Sequence, residues 1–232
     1  MTTSWRLATD SCEIYEKYIV PAVSKPWYEL MLESGKPCQN GPIADLACGT
    51  GAFLEFLSER INPPPIMTGV DANPDILKYA RGKNLISTTF VNANVSKLPF
   101  NTDYFSLIYC QQGIQYFAHK EKCFQEIIRC LKPGGIFLGL VWSKIEDCSG
   151  YHILSKAVLK YLGEKSQDNM LAPFKSHNSR DLSGLAKEAG FKGYQVTLAK
   201  NYCTFNSAQE FVSRRILGSP LVEIYPYMIR NR

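Results

Sequence analysis

Asp45-Leu46-Ala47-Cys48-Gly49-Thr50-Gly51 joins a carboxylate to a run of small residues, and a second carboxylate, Asp71, follows 20 residues after Gly51. Ile43 and Ala44 lead into the first group as a short apolar strand, and Ala52 to Leu57 follows it as an amphipathic helix. Ile66 to Val70 is a second apolar run, which Asp71 closes. Strand, small-residue turn, helix, strand and carboxylate is the layout of a site for an adenosine cofactor. Small residues let the main chain come close to a ligand, and the carboxylate accepts hydrogen bonds from ribose hydroxyls.

The spacing separates the adenosine cofactors from one another. A dinucleotide turn reads G-x-G-x-x-G, its third glycine seating the helix on the sheet. Here Leu54 stands at that third position, which argues against a nicotinamide-dependent reductase. That enzyme remains one alternative, and a non-catalytic cofactor-binding subunit is another. A glycine pair alone also occurs in ordinary turns; Asp45 before it and Asp71 after it set this one apart. The alternation Asp45-x-Ala47-x-Gly49-x-Gly51 resembles the first motif of class I S-adenosylmethionine-dependent methyltransferases, with alanine at the first glycine.

Four further segments extend the resemblance in the family's order. They are Asn94 to Phe100, which ends in Leu-Pro-Phe; Asp103 to Ile108; Cys110 to Phe117; and Arg129 to Gly135, whose Lys-Pro-Gly-Gly matches the helix end and tight turn before the fifth strand. The resemblance spans about residues 13–218 and is closest to small-molecule methyltransferases of the ubiquinone/menaquinone-biosynthesis type. It implies methyl transfer from S-adenosylmethionine to a small, apolar or aromatic acceptor, with S-adenosylhomocysteine as product. It also implies a site. Asp45 opens the motif, the backbone around Ala47, Gly49 and Gly51 approaches the methionine part, Asp71 takes the ribose hydroxyls, and Ala72 faces the adenine. Asn94 and the Val95 amide address the adenine edge, and Gln111 lies beside the sulfonium. Tyr15 and Tyr18, about one helical turn apart, either close over the methionine end or pack in the core. Asn94 stands where the family carries an aspartate, so a neutral acceptor replaces a charged one.

Methyl transfer from a sulfonium is an in-line displacement with a neutral leaving group, so alignment and exclusion of water are the main tasks. A base is needed only where the acceptor must lose a proton. Of His119, His152 and His177, His152 is the candidate base because it falls on the helix of an inserted cover; a surface histidine is its plainer reading.

These residues need a frame to hold them. Strands are expected near 43–47, 66–70, 88–91, 105–110 and 135–142, with a further one from Tyr194 to Ala199. Helices are expected near 51–60, 74–81, 120–131 and 179–189. Asn73-Pro74 is a cap followed by proline at the first helical position, and Ser207-x-x-Glu210 is a capping box for a last helix. Alternating strands and helices imply an α/β fold with a doubly wound, mostly parallel sheet and ligand at the strands' carboxyl ends. Asp10 and Glu13 start one helix running to about Val20, and Pro26 starts a second that ends near Gly35. The chain thus reads as a single methyltransferase domain: a helical lead-in over 1–35, a cofactor-binding core over 36–142, an inserted lid over 143–178, and a C-terminal part of the core over 179–232. After residue 199 only 202–205 and 221–225 offer a closing strand, neither convincingly, so the expectation is either a truncated chain or an edge completed by a partner such as a second copy.

Composition limits the remaining classes. The 232 residues are 45% hydrophobic and 20% charged, which suits a globular domain with a real core. A net charge of +5 without a lysine or arginine block gives no nucleic-acid footprint, and residues 214–215 read as solvated surface. Ile136 to Trp142, the longest clean apolar run, is far short of the ~20 residues of a membrane span. The start of the chain has no signal-peptide pattern. Eight scattered cysteines with no C-x-x-C pair predict no metal site and a reduced, cytoplasmic setting.

Overall fold

The structure, a computed structural model, describes residues 9–35, 41–174 and 179–217. Five parallel strands form one sheet in the order β3-β2-β1-β4-β5. They are β1 (Ile43–Leu46), β2 (Met67–Asp71), β3 (Thr88–Asn92), β4 (Phe105–Gln111) and β5 (Leu131–Leu140). The chain steps outward from β1 to β3, then returns to the other side of β1 as β4. That reversal leaves a crevice at the carboxyl ends of β1 and β4, where open α/β sheets bind their ligands.

Helices cover both faces. α2 (Tyr28–Gly35), α3 (Ala52–Arg60) and α4 (Pro74–Gly82) lie on one side, where Tyr28, Phe53, Leu57 and Leu77 close over Ile43, Leu107 and Tyr109. On the other, α5 (Lys120–Cys130) and α8 (Ser179–Ala189) bring Phe124, Ile127 and Ala186 against Ala44, Leu46, Ile108 and Cys110. β1 is buried along its whole length, as expected of a central parallel strand covered on both faces.

The helix starts form as their chemistry dictates. The Asn73 side chain accepts the Asp75 N–H at 3.0 Å, with Pro74 opening α4. Before α9 (Ala208–Leu217), Ser207 Oγ accepts the Glu210 N–H at 3.1 Å while the Glu210 carboxylate reaches back to the Asn206 N–H.

Three expectations change. The lead-in is one continuous helical run: α1 (Thr9–Ile14) widens into π geometry over Tyr15–Ser24 and narrows to a 3₁₀ turn before α2. Pro21, which lacks an N–H, sits inside the π segment, where an α ladder would fail. Lys132-Pro133-Gly134-Gly135 does not precede β5 but bulges from it. Leu131 pairs with Phe105 and Ile136 with Leu107, so the four residues between loop out, Gly134 at φ 78°. Tyr194 to Ala199 is not a strand. It runs without a ladder, with Tyr194 and Leu198 exposed, and β5 has no outer neighbour among the described residues. Of the segments considered for a closing strand, 202–205 carries none and 221–225 lies outside the described residues.

After β5 come α6 (Ser149–Leu162) and α7 (Glu164–Leu171), which pack on each other, and a 3₁₀ turn, Ala172–Phe174. That turn touches the Ile114–Tyr116 turn beyond β4, and α9 packs on the π segment.

Candidate functional site

Chain direction alternates through the loop after β1. Ala47, Gly49 and Gly51 take φ of 56°, 55° and 75°. Every second residue is therefore left-handed, which is what the small-residue alternation encodes. Ala47 is the departure, since a Cβ in this region costs about 1–2 kcal/mol. Opposite it, a Cβ on Gly113 would meet the Ala47 Cβ at 2.5 Å, so glycine is required there. A Cβ on Gly49 would meet nothing within 4 Å, so the loop's open side lies at Gly49.

Two carboxylates stand under this loop. Asp71 accepts the Gly49 N–H at 3.0 Å through Oδ2 and the Asn73 N–H at 2.9 Å through Oδ1. It thereby clips the loop to the end of β2 and helps to start α4. Burial raises its pKa, and the N–H donors of Asn73, Gly49 and Ala72 oppose that rise. Asp45 is only 2% exposed, and its Oδ1 has no hydrogen-bond partner. Burial, and then the Asp71 charge, hold Asp45 well above the usual carboxylate range.

On the β3 side Ala72 is exposed. Asn94 is exposed too, and its Oδ1 already accepts the Ser96 N–H at 2.9 Å, an Asx turn; Val95 is buried in the core. The next loop is tied to α5, where Arg129 donates to the carbonyls of Leu98 and Phe100 at 3.1 and 2.8 Å. At the end of β4, Gln111 Nε2 donates to the Ser24 carbonyl at 3.1 Å, joining the lead-in to the crevice.

The two lead-in tyrosines part company. Tyr15 is packed inward, its hydroxyl 3.4 Å from Ser24 Oγ, within the electrostatic reach of Asp45. Tyr18 lies under the Arg214 guanidinium, 5.1 Å from the ring centroid. His152 is half-buried on α6, His119 is exposed at the start of α5, and His177 lies outside the described residues.

Tyr151 and Phe174 fall within the lid expected over 143–178, but their packing against Trp142 was not legible in the sequence. Trp142, Tyr151 and Phe174 stand with ring centroids 5.1–5.4 Å apart, and Phe211 meets Tyr151 edge-on. Residues 214–215 are not solvated surface, because Arg214 pairs with Glu210 and the Arg215 Nε is buried. Their position on a helix with aromatic Phe211 on the same stripe was the only signal available. Among the described residues no group of side chains could hold a metal ion, and no helix is long and apolar enough to cross a membrane.

The comparisons agree with this geometry. Residues 43–135 match the family described as methyltransferase domain. Among solved structures, a Methanococcus maripaludis protein assigned as an S-adenosylmethionine-dependent methyltransferase superposes with a TM-score of 0.60, at 19% identity over 86% of this chain and 92% of its own. Haemonchus contortus phosphoethanolamine N-methyltransferase 2, in complex with S-adenosylhomocysteine, gives 0.58 at 18% identity over 78% of this chain and 41% of its own. Fold and family match point the same way: residues 43–135 match a methyltransferase domain, on a five-stranded parallel sheet of the kind those solved structures share.

Within that class the chain is similar to the ubiquinone/menaquinone biosynthesis C-methyltransferase UbiE. The Proteus mirabilis (strain HI4320) protein is 28% identical over 190 residues, 75% of this chain and 76% of its own length. That of Stutzerimonas stutzeri (strain A1501) is 28% identical over 185 residues, 73% and 72% respectively.

Proposed function

We propose that the crevice between β1, β2 and β4 holds S-adenosylmethionine and that the chain methylates a small, apolar or aromatic acceptor. The observation that carries this is Asp45, a buried carboxylate with an unbonded oxygen beneath a loop whose open side is at Gly49. A cationic ligand suits such a group, and it would draw Asp45 back toward its ionised form. When bound, the cofactor supplies an electrophilic methyl on a positively charged sulfur.

The residues then divide the work. Ala47, Gly49 and Gly51 let the backbone approach the methionine portion. Asp71 offers its remaining lone pairs to the ribose hydroxyls while keeping Gly49 in place, since a carboxylate accepts about four bonds and two are used. Ala72 lies against the adenine, and Asn94 and Val95 meet its edge. Gln111, held by Ser24, borders the reacting centre, with Tyr15 packed behind it and Tyr18 further out. Residues 143–174, the described part of the expected lid, form the cover that excludes water on the acceptor side, and His152 on that cover takes a proton where the acceptor must lose one. The relatives' name specifies carbon methylation, which makes a carbon acceptor the first to test. The outer edge of β5, which has no neighbouring strand among the described residues, pairs with a second copy, and sedimentation equilibrium tests this.

Isothermal calorimetry with S-adenosylhomocysteine and with NADH tests the cofactor reading. Saturable binding of the first and none of the second is expected. NADH binding without S-adenosylhomocysteine binding would favour the reductase instead.

A further inference from the structure

The lead-in bridges the two sides of the crevice and is fastened on each. On one side Glu16, in the first turn of the π segment, accepts a bond of 2.7 Å from Lys83 Nζ. The same ammonium donates to Glu55 Oε2, also at 2.7 Å. Lys83 caps the end of α4, and Glu55 lies in the first turn of α3, where its N–H bonds the Gly51 carbonyl at 2.9 Å. One cation thus joins the lead-in to the helix after the small-residue loop and to the helix after Asp71. On the other side, Ser24 accepts Gln111 Nε2 from the last residue of β4. Tyr15 stands between these fastenings, packed with Cys12 against Ile76 and Tyr79 and within the electrostatic reach of Asp45 on β1.

The two fastenings differ in kind. After Ser24 the chain passes through a 3₁₀ turn into α2, whose Tyr28, Met31 and Leu32 belong to the main core, so this end is fixed. Ile19, Ala22 and Val23 are buried as well. Thr9–Tyr18 instead rests on the small Cys12 and Tyr15 contact and on the Glu16 bond, with Arg214 over the Tyr18 ring. The ladder between the two parts is also weak. A π ladder pairs the N–H of residue 21 with the Glu16 carbonyl, and Pro21 has no N–H to give. The Glu16 and Lys83 side chains are only 18% and 12% exposed, so their bond is shielded from water and outlasts an ordinary surface pair.

We propose that Thr9–Tyr18 is a gate on the cofactor crevice and that Lys83, through its bond to Glu16, is the latch that sets how fast cofactor and product exchange. With the bond made, the gate is shut and Tyr15 stands over the β1 end of the crevice. When the bond parts, the segment turns at the weak point between Glu16 and Pro21, while Ser24 keeps its hold on Gln111. The inference rests on the cofactor reading above and deepens it by naming what controls access to that site.

Surface plasmon resonance on the immobilised full chain tests it, with S-adenosylhomocysteine as the probe. Glu16→Gln keeps the size of the side chain and leaves Lys83 its bond to Glu55; Lys83→Met removes the cation. Both should raise the association and dissociation rates by at least about fivefold. Kd should stay within about twofold, because a latch that closes alike over a free and a filled crevice alters rates and not the equilibrium. Glu55→Gln, which keeps the Glu16–Lys83 bond, should leave both rates within about twofold. Unchanged rates in folded Glu16→Gln, or affinity lost through faster dissociation alone, would overturn the proposal. Amide hydrogen exchange reads the latch without any ligand: Glu16→Gln should speed exchange over residues 9–18 by at least about fivefold and leave residues 28–35 unchanged. Equal protection of 9–18 in wild type and variant would overturn the proposal. If S-adenosylhomocysteine does not bind at all, the cofactor reading falls separately, and hydrogen exchange alone decides the latch.

Discussion

Replacing Asp71 should damage stability and cofactor binding together, in amounts that follow from its two backbone bonds. Its carboxylate accepts the N–H groups of Gly49 and Asn73, and a bond to a charged acceptor contributes about 1.5–3 kcal/mol. Asp71→Ala deletes both. Two effects reduce the gross loss: water reaches part of the vacated space, and Asp45 is freed of a like charge. A net destabilisation of roughly 2–3 kcal/mol remains, which in a chain of this size lowers the melting temperature by about 4–12 °C. Asp71→Asn keeps one acceptor oxygen but turns an amide N–H₂ toward the other donor, so about half of that loss is expected. Differential scanning calorimetry should rank wild type above Asn above Ala. Titration with S-adenosylhomocysteine on the folded variants should show a further affinity loss of at least about tenfold for Ala. Unchanged melting in both variants would refute the clip. Lowered melting with unchanged affinity would keep the clip and remove Asp71 from the ribose.

Three other outcomes follow from the same geometry. Ala47→Gly relieves a left-handed alanine at φ 56° and should stabilise the protein by up to ~1 kcal/mol, the strain relief being partly offset by the greater freedom of glycine when unfolded; a lowered melting temperature would contradict this. Asp45 has a folded pKa raised above the ordinary 3.8, so wild-type stability should fall as pH rises from about 4 toward that folded value and then level off. Asp45→Asn should abolish that slope in urea unfolding measured across about pH 4–8, and an unaltered slope would assign it to another group. Lys83 bonds Glu16 and Glu55, each at 2.7 Å, and so ties the lead-in to α3 and α4; Lys83→Met should cost roughly 1–3 kcal/mol, reduced from the buried-pair value because Glu55 is 41% exposed, and thermal melting checks it.

Much of the frame was legible because its signals are local. Asn73-Pro74 and Ser207-x-x-Glu210 start helices through bonds within one turn, so residue type and spacing suffice. The alternation Ala47-x-Gly49-x-Gly51 corresponds to three positive φ angles, one of them at an alanine that spacing alone would not flag as strained. Tyr194 to Ala199 misled because alternating apolar residues describe a strand's faces but not its partner, and among the described residues no strand pairs with it. Lys-Pro-Gly-Gly was read as a turn and is one, but the strand starts before it because Leu131 finds Phe105 across the sheet. The lid's aromatic residues were legible, but their meeting with Arg215 was not, for the same reason: Trp142, Tyr151, Phe174 and Arg215 span over 70 positions and meet only through tertiary packing. Asp71 was read as a group for a ligand's ribose, whereas its hold on Gly49 depends on how β1 and β2 align and was not legible.

A crystal structure of the chain grown with S-adenosylhomocysteine tests the central claim most directly. The expected result is the methionine portion against the backbone of Ala47 and Gly49, ribose hydroxyls within hydrogen-bonding distance of Asp71, and adenine beside Ala72 and Val95. Ligand density elsewhere on the molecule, or a crevice that stays empty at saturating ligand while the loop keeps its fold, would contradict it.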